Sequence, residues 1–277
     1  MPCTLQFINC SISIGPLFIV HSPLSILHRQ LSIDKISYLS RMGIFNLFFL
    51  LSVIWHQGSE QVKTYEVVKS KQEIVIDGKG SDATWAQAGL LTDFKLPWHE
   101  EIAQPTSFRA MWTDSALYLL YQVIDRDIVA PGPPNDERGV LPSDRVEIFF
   151  KVNGSMDPYY CLELDPRSRV LDYQSQYYRN ADFEWSWPDG GLTVMANTNS
   201  EGYTVEAKIT LASLRALKII NEDNSLDAGL FRGDYMLTQN NKSIVKWISW
   251  VDPGSEKPDF HIPSAFGKLT LTDQKNP

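Results

Sequence analysis

Cysteine is scarce: the chain of 277 residues has three, and Cys3 and Cys10 stand at its start, leaving Cys161 alone in the rest. A lone thiol makes no internal disulfide, so packing has to hold the body together. Histidine is equally thin. Past residue 60 only His99 and His261 occur, far apart and without a cysteine pair, which argues against zinc. There is no phosphate-cradling Gly-rich loop, no dinucleotide turn, no G-x-S-x-G elbow and no H-E-x-x-H pair. Positive charge is short as well, with 25 Lys+Arg against 33 Asp+Glu, a net charge of −8. No Lys/Arg-rich run exists to release counterions from a phosphate backbone, so nucleic acid is excluded as a main partner.

A membrane-length apolar run is missing too. Ile44–Trp55 (IFNLFFLLSVIW) is 12 residues long and broken by Asn46 and Ser52, whereas a spanning helix needs roughly 20. Lys35 and Arg41 precede it and a polar stretch from His56 to Glu60 follows. A basic flank, a short apolar centre and small or polar residues afterwards make a secretory signal. Residues 42–58 therefore read as a signal peptide, 1–60 as a leader or extension that starts upstream of Met42, and 61–277 as the folded domain. A short N-terminal membrane anchor is the alternative. Export without disulfides points to a bacterial secreted or cell-envelope protein.

What is present is a β pattern. Sixteen Gly, 16 Pro and eight Trp suit strands and turns better than a helical bundle. From Tyr65 onward, alternating segments are bounded by Gly, Pro, Asn and Asp. In Thr106–Trp112 the inward set is Phe108, Ala110 and Trp112; in Leu117–Val123 it is Leu117, Leu119, Tyr121 and Val123. Val146, Ile148 and Phe150 oppose Arg145, Glu147 and Phe149, and Tyr203, Val205, Ala207 and Ile209 oppose Thr204, Glu206 and Lys208. Further strands are expected at Glu73–Ile76, Tyr159–Leu164, Leu192–Ala196, Tyr235–Thr238, Ile244–Ser249 and Lys268–Leu271. Two short helices are expected, Ala83–Ala88 behind the N-cap Asp82 and Leu211–Leu217 behind Thr210. The fold class is all-β, an antiparallel jelly-roll-like β-sandwich.

Carboxylates are plentiful, but most of them read as solvated charges on an outer face. Glu147 and Glu163 lie on successive strands, and two opposed carboxylates run glycoside hydrolysis when they meet across a cleft. The tryptophans say more. Trp185 and Trp187 are two apart and share a face before the turn Pro188–Gly191, while Trp247 and Trp250 end a strand that runs into Asp252-Pro253-Gly254. Flat aromatic faces at loop ends, flanked by polar side chains, suit a sugar ring.

Five segments in order, IDGKGSDATWAQA (Ile76–Ala88), FRAMWTDSALYLLYQVIDRDI (Phe108–Ile128), SDRVEIFF (Ser143–Phe150), GYTVEAKITLASL (Gly202–Leu214) and WISWVDP with FHIPSAFGKLTL, resemble the family 9 carbohydrate-binding module, an appendage of xylanases. The resemblance implies a sandwich that binds plant-type polysaccharide or oligosaccharide and carries no catalytic centre. It also implies that Glu147 bonds sugar hydroxyls and that Trp250 stacks on the ring. The family's second clamp tryptophan has no counterpart in Gly139–Pro142, so Trp98, Trp185 or Trp187 has to replace it. Family members can hold structural calcium, for which Asp125, Asp127 and Asp136 offer oxygens. A related haem-binding sandwich uses Met and His ligands, which Met111 and His261 would supply. A surface-interaction sandwich without sugar binding is the remaining reading.

Overall fold

The computed structural model describes residues 62–240 and 242–273. The expected leader, with Ile44–Trp55, Cys3 and Cys10, lies outside the described residues. Twelve strands build the domain: β1 (Thr64–Lys69), β2 (Thr106–Trp112), β3 (Ala116–Ile124), β4 (Arg145–Lys151), β5 (Tyr159–Leu164), β6 (Val170–Gln176), β7 (Asn180–Asp182), β8 (Leu192–Thr198), β9 (Gly202–Thr210), β10 (Ser225–Leu237), β11 (Ser243–Ser249) and β12 (Gly267–Thr272). They hydrogen-bond in the order β7-β6-β5-β4-β10-β12-β1-β2-β3-β9-β8, with β11 on the far half of β10. The sheet is mixed, because β1 runs parallel to both of its neighbours, β12 and β2.

Alternation explains how this sheet curls. Each inward set read from the sequence is buried in one shared core: Phe108, Ala110, Leu119, Tyr121, Val146, Ile148, Phe150, Val205 and Ile209. Strands β4, β5 and β10 thus face β2, β3 and β9 across the same apolar layer, which closes only if the sheet bends on itself. Trp112 points the expected way but stands at the strand end, half-buried, with its indole N–H on the Thr272 carbonyl at 3.0 Å.

The outer faces depart from simple alternation. Phe149, Cys161, Tyr173 and Phe231 form a second buried cluster, covered by Phe260, Ala265 and Phe266 from the loop between β11 and β12. Met111, Tyr118 and Leu120 form a third, beneath Ile74 and Trp85. The segment Glu73–Ile76, expected as a strand, is irregular; β1, β6 and β7 arise where no strand was expected, and β10 begins at Ser225, well before the expected Tyr235–Thr238. Of the two expected helices, Leu211–Ala216 is a short α-helix (α1) capped by Thr210, whereas Ala83–Gln87 winds as a 3-10 turn capped by Asp82.

The third cluster depends on one buried acid. Glu206 of β9, fully buried, accepts the Gly78 N–H at 2.7 Å, the Asp77 N–H at 3.0 Å and the Trp85 indole N–H at 2.9 Å. Gly78 has φ +81°, and a Cβ there would meet the Ala196 backbone at 2.8 Å, so this turn admits only glycine. Phe108 packs on Tyr65 and Tyr121 with no exposure. Phe108→Ala is expected to cost about 3–5 kcal/mol in urea denaturation; a loss below about 1 kcal/mol would place it outside the core.

Candidate functional site

Period two along β4 sends Arg145, Glu147 and Phe149 to the outer face. Glu147 pairs in register with Glu163 of β5. Arg145 stands between the two acids: its Nε donates to Glu147 Oε1 at 2.8 Å and lies 2.6 Å from Glu163 Oε2. Its Nη1 donates to the Leu141 carbonyl at 2.8 Å, and the Tyr173 hydroxyl donates to Glu163 Oε1 at 2.9 Å. These charges are not solvated. Arg145, Glu147 and Glu163 are 4%, 2% and 4% exposed. Burial pushes Glu147 up to about 8, against the pull of Arg145 and with the help of the Glu163 charge.

Strand β11 supplies the aromatic wall. Trp247 sits opposite Gly233 of β10, where a Cβ would press on its ring at 3.2 Å and on Tyr235 at 3.3 Å, so the glycine makes room for the indole. The Arg145 guanidinium lies 5.2 Å from the Trp247 ring centre. Phe260 meets Trp247 edge-on at 5.7 Å and stacks on Phe231 at 4.0 Å. Trp98, packed on Phe260, donates its indole N–H to the Ser255 carbonyl at 2.8 Å and so braces the loop from behind.

The same loop brings Asp259 and His261. Asp259 accepts Arg179 Nη2 at 2.8 Å, the His261 N–H at 2.9 Å and the Tyr178 hydroxyl. These bonds hold it below the usual carboxylate range despite the opposing effect of burial. His261 Nδ1 is 2.9 Å from the Tyr159 hydroxyl, and burial together with Arg179 pushes it down to about 4, so the imidazole is neutral at pH 7. Together Arg145, Glu147, Glu163, Arg179, Trp247, Pro258, Asp259, Phe260 and His261 enclose a recess of about 210 Å³. That is room for about one sugar ring, lined by an indole and a phenyl together with carboxylate, guanidinium and imidazole groups. A larger hollow of about 520 Å³ lies between residues 69–73 and 113–115. No aromatic side chain lines it, and two of its carboxylates are already paired, Asp114 with Lys69 and Glu73 with Lys208.

Of the residues singled out from sequence, Glu147 reaches the recess. Trp250 does not. It is 1% exposed within the main core, and a Cβ on Gly267 would meet its ring at 2.6 Å. Trp247 and Trp250 stand three positions apart, and in a strand an odd spacing sends them to opposite faces. The indole at the recess is therefore Trp247, a correction that strand period alone carries. Trp187 is buried, with its indole N–H on Ser213 Oγ at 3.0 Å, and Trp185 lies over Tyr160 at 5.1 Å; neither lines the recess. Met111 belongs to the third cluster while His261 lines the recess, so the pair does not meet as haem ligands. Arg179 and Asp259 carried no sequence signal of their own, whereas Phe260 opened the segment FHIPSAFGKLTL without being singled out.

The oxygen site Asp125–Asp127–Asp136 is not assembled either. Among the described residues, the acids close enough to share an ion are Asp125, Asp144 and Asp234, with ligand oxygens within 4.8 Å of one another. Arg232 already bonds Asp125 at 2.9 Å and Asp234 at 2.7 Å. Asp144 accepts the Val129 and Tyr235 N–H groups, and burial pushes it up to about 7. Arg232 thus offsets part of the negative charge of this cluster.

The raised acid gives a pH signature. From the ordinary value of 4.5 up to about 8, folded Glu147 keeps a proton that the unfolded chain has released, so stability falls as pH rises. One proton is worth up to about 1.4 kcal/mol per pH unit. His261, lowered from 6.5 to about 4, acts in the opposite sense below pH 6.5. Urea denaturation at pH 6.5 and at pH 8 is therefore expected to show a loss of stability in the native chain and a smaller loss in Glu147→Gln. Equal slopes would place the proton elsewhere.

Comparison with known proteins places the family and the fold. The family described as carbohydrate family 9 binding domain-like matches residues 76–274. A protein from Bacteroides uniformis, described as a candidate carbohydrate-binding protein, shares the fold with a TM-score of 0.61 at 18% identity, over 76% of this chain and 100% of its own. A family 9 carbohydrate-binding module from Caldicellulosiruptor kristjanssonii, solved with cellotriose, aligns with a TM-score of 0.50 at 18% identity, over 77% of this chain and 96% of its own. A search of curated proteins finds no match. With the family's description matching residues 76–274, most of the chain, the chain belongs to the carbohydrate family 9 binding domain-like family.

Proposed function

We propose that the recess beside Trp247 is a saccharide-binding site and that the chain is a non-catalytic carbohydrate-binding module. In this reading the two halves of the curled sheet act as the leaves of a jelly-roll-like β-sandwich. The observation that carries the proposal is the half-buried Trp247 beside the buried Arg145–Glu147 pair, in a space of about one ring. The C–H face of a pyranose stacks on an indole, while its hydroxyls find charged partners that are already held in place. Hydrolysis is disfavoured by the same geometry. Catalytic acids flank a bond with the substrate between them, about 5–10 Å apart; here Glu147 and Glu163 both contact the same nitrogen of Arg145. The module from Caldicellulosiruptor kristjanssonii is solved with cellotriose, which makes plant-type oligosaccharides the first ligands to test, in a carbohydrate-catabolic setting alongside xylanases. The basic-flanked run Ile44–Trp55 supports export to the bacterial envelope or medium, which N-terminal sequencing of the mature chain checks.

A glycan array followed by calorimetry tests the site. Trp247→Ala is expected to stay folded and to weaken binding more than tenfold, about 1.4 kcal/mol. Glu147→Gln keeps the shape and loses less. Trp250→Ala, by contrast, is expected to cost about 3–5 kcal/mol of stability, as a buried core indole. Undiminished binding by Trp247→Ala would remove the recess as the site.

A further inference from the structure

Beside the recess, the same face of the sheet turns apolar. Arg145 pairs in register with Gly233, and Gly233 with Trp247, so period two puts Tyr235 and Leu237 of β10 and Val245 of β11 on the recess face. Tyr235 meets Trp247 edge-on at 6.3 Å, and the Arg145 guanidinium lies 5.6 Å from the Tyr235 ring centre. Val245 is the cross-strand partner of Tyr235, Leu237 follows two residues on, and Ser243 opposite Leu237 ends the strip. The turn before β4 borders it, since the Tyr235 hydroxyl donates to the Leu141 carbonyl at 2.8 Å. That bond spends the only hydrogen the phenol has. Leu237 is 57% exposed and Leu141 37%, while Tyr235 and Val245 are half-buried. Lys246, the one cation of β11, stands on the opposite face and is paired with Glu101. A charged recess thus opens directly onto an uncharged strip two strands wide.

We infer that this strip receives an aromatic substituent carried by the saccharide, while the sugar ring itself lies in the recess against Trp247. The inference rests on the reading of the recess as a saccharide site. Three features carry it. The strip is continuous with the recess through the Trp247–Tyr235 contact, so one ligand spans both. Its side chains are two leucines, a valine and a ring whose hydroxyl is already bonded, which favours an apolar group over another bare sugar unit. It is open to water, and an aromatic ring buries much apolar area there while giving up few rotors.

Calorimetry of the full chain tests it with glucose, phenyl β-glucoside and glucose benzoylated at its primary hydroxyl, and with xylose and phenyl β-xyloside. In the series that binds, an aromatic derivative is expected to bind at least about tenfold more tightly than its parent sugar. The double variant Leu237→Ser/Val245→Thr is expected to bring that derivative back to parent affinity, leaving parent binding and the circular dichroism spectrum unchanged. Ile244→Ser removes an apolar side chain, 51% exposed, from the other face of the same hairpin and is expected to change nothing. Equal affinity for derivative and parent, or an advantage that survives the double variant or is lost in Ile244→Ser, would overturn the strip and leave the recess standing. So would a double variant that loses the parent sugar as well, or a dimer of the native chain that the double variant dissolves, which would assign the strip to a second copy. No binding of any of these sugars, or parent binding that survives Trp247→Ala, would overturn the recess reading and this inference with it.

Discussion

The outer face of this sheet depends on one guanidinium. Arg145 has almost no contact with water, yet it touches both Glu147 and Glu163 and reaches the Leu141 carbonyl. A buried charge without partners costs several kcal/mol, so each of these groups requires the others. The guanidinium also lies against the rings of Tyr235 and Trp247, which fixes the C-terminal end of β10 and the start of the wall on β11. The recess is a consequence of that clamp. Charged side chains are held there before any ligand arrives, so binding need not order them.

A second buried cation organises the opposite face. Arg232 follows Phe231 along β10, so period two turns it inward, where it meets Asp125, Asp234 and Thr106. The acids and the arginine of this group come from β10 and from the ends of loops that would otherwise be loose. Asp144 fastens Val129 on one side and Tyr235 on the other, which sets where β4 begins. One strand, β10, thus faces a charged cluster on each side, and the register of β4 against it is fixed by both.

Much of the fold was legible because the inner faces of β2, β3, β4 and β9 obey period two. Phe108, Leu119, Ile148 and Val205 announce their side simply by alternating with polar neighbours. The outer faces were not legible for the same reason. Arg145, Glu147 and Phe149 alternate as a solvated face would, and Trp247 with the distant loop carrying Phe260 and Phe266 helps to bury them. No local pattern reveals a cover that arrives more than a hundred residues later. Glu147 was found through its place in a motif. Trp250 was misplaced because two tryptophans in one motif look alike until strand period separates their faces. Strand β1 escaped notice because its partners in the sheet come from later in the chain, and β7 because three residues make no period.

The placement of β1 has a consequence for synthesis. Its register with β12 joins Tyr65 to Leu269 and Val67 to Leu271, whereas β2 meets it only at Val68 and Lys69. As the ribosome extends the chain, the first strand of the domain has almost nothing to zip onto until the last strand has been made. The apolar sides of β2, β3 and β9 wait through that interval with their opposite layer unfinished. Closure is therefore a late, long-range and all-or-none event. A nascent chain stopped short of Leu271 would be a sheet with an open seam, exposed to proteases and to pairing with its neighbours.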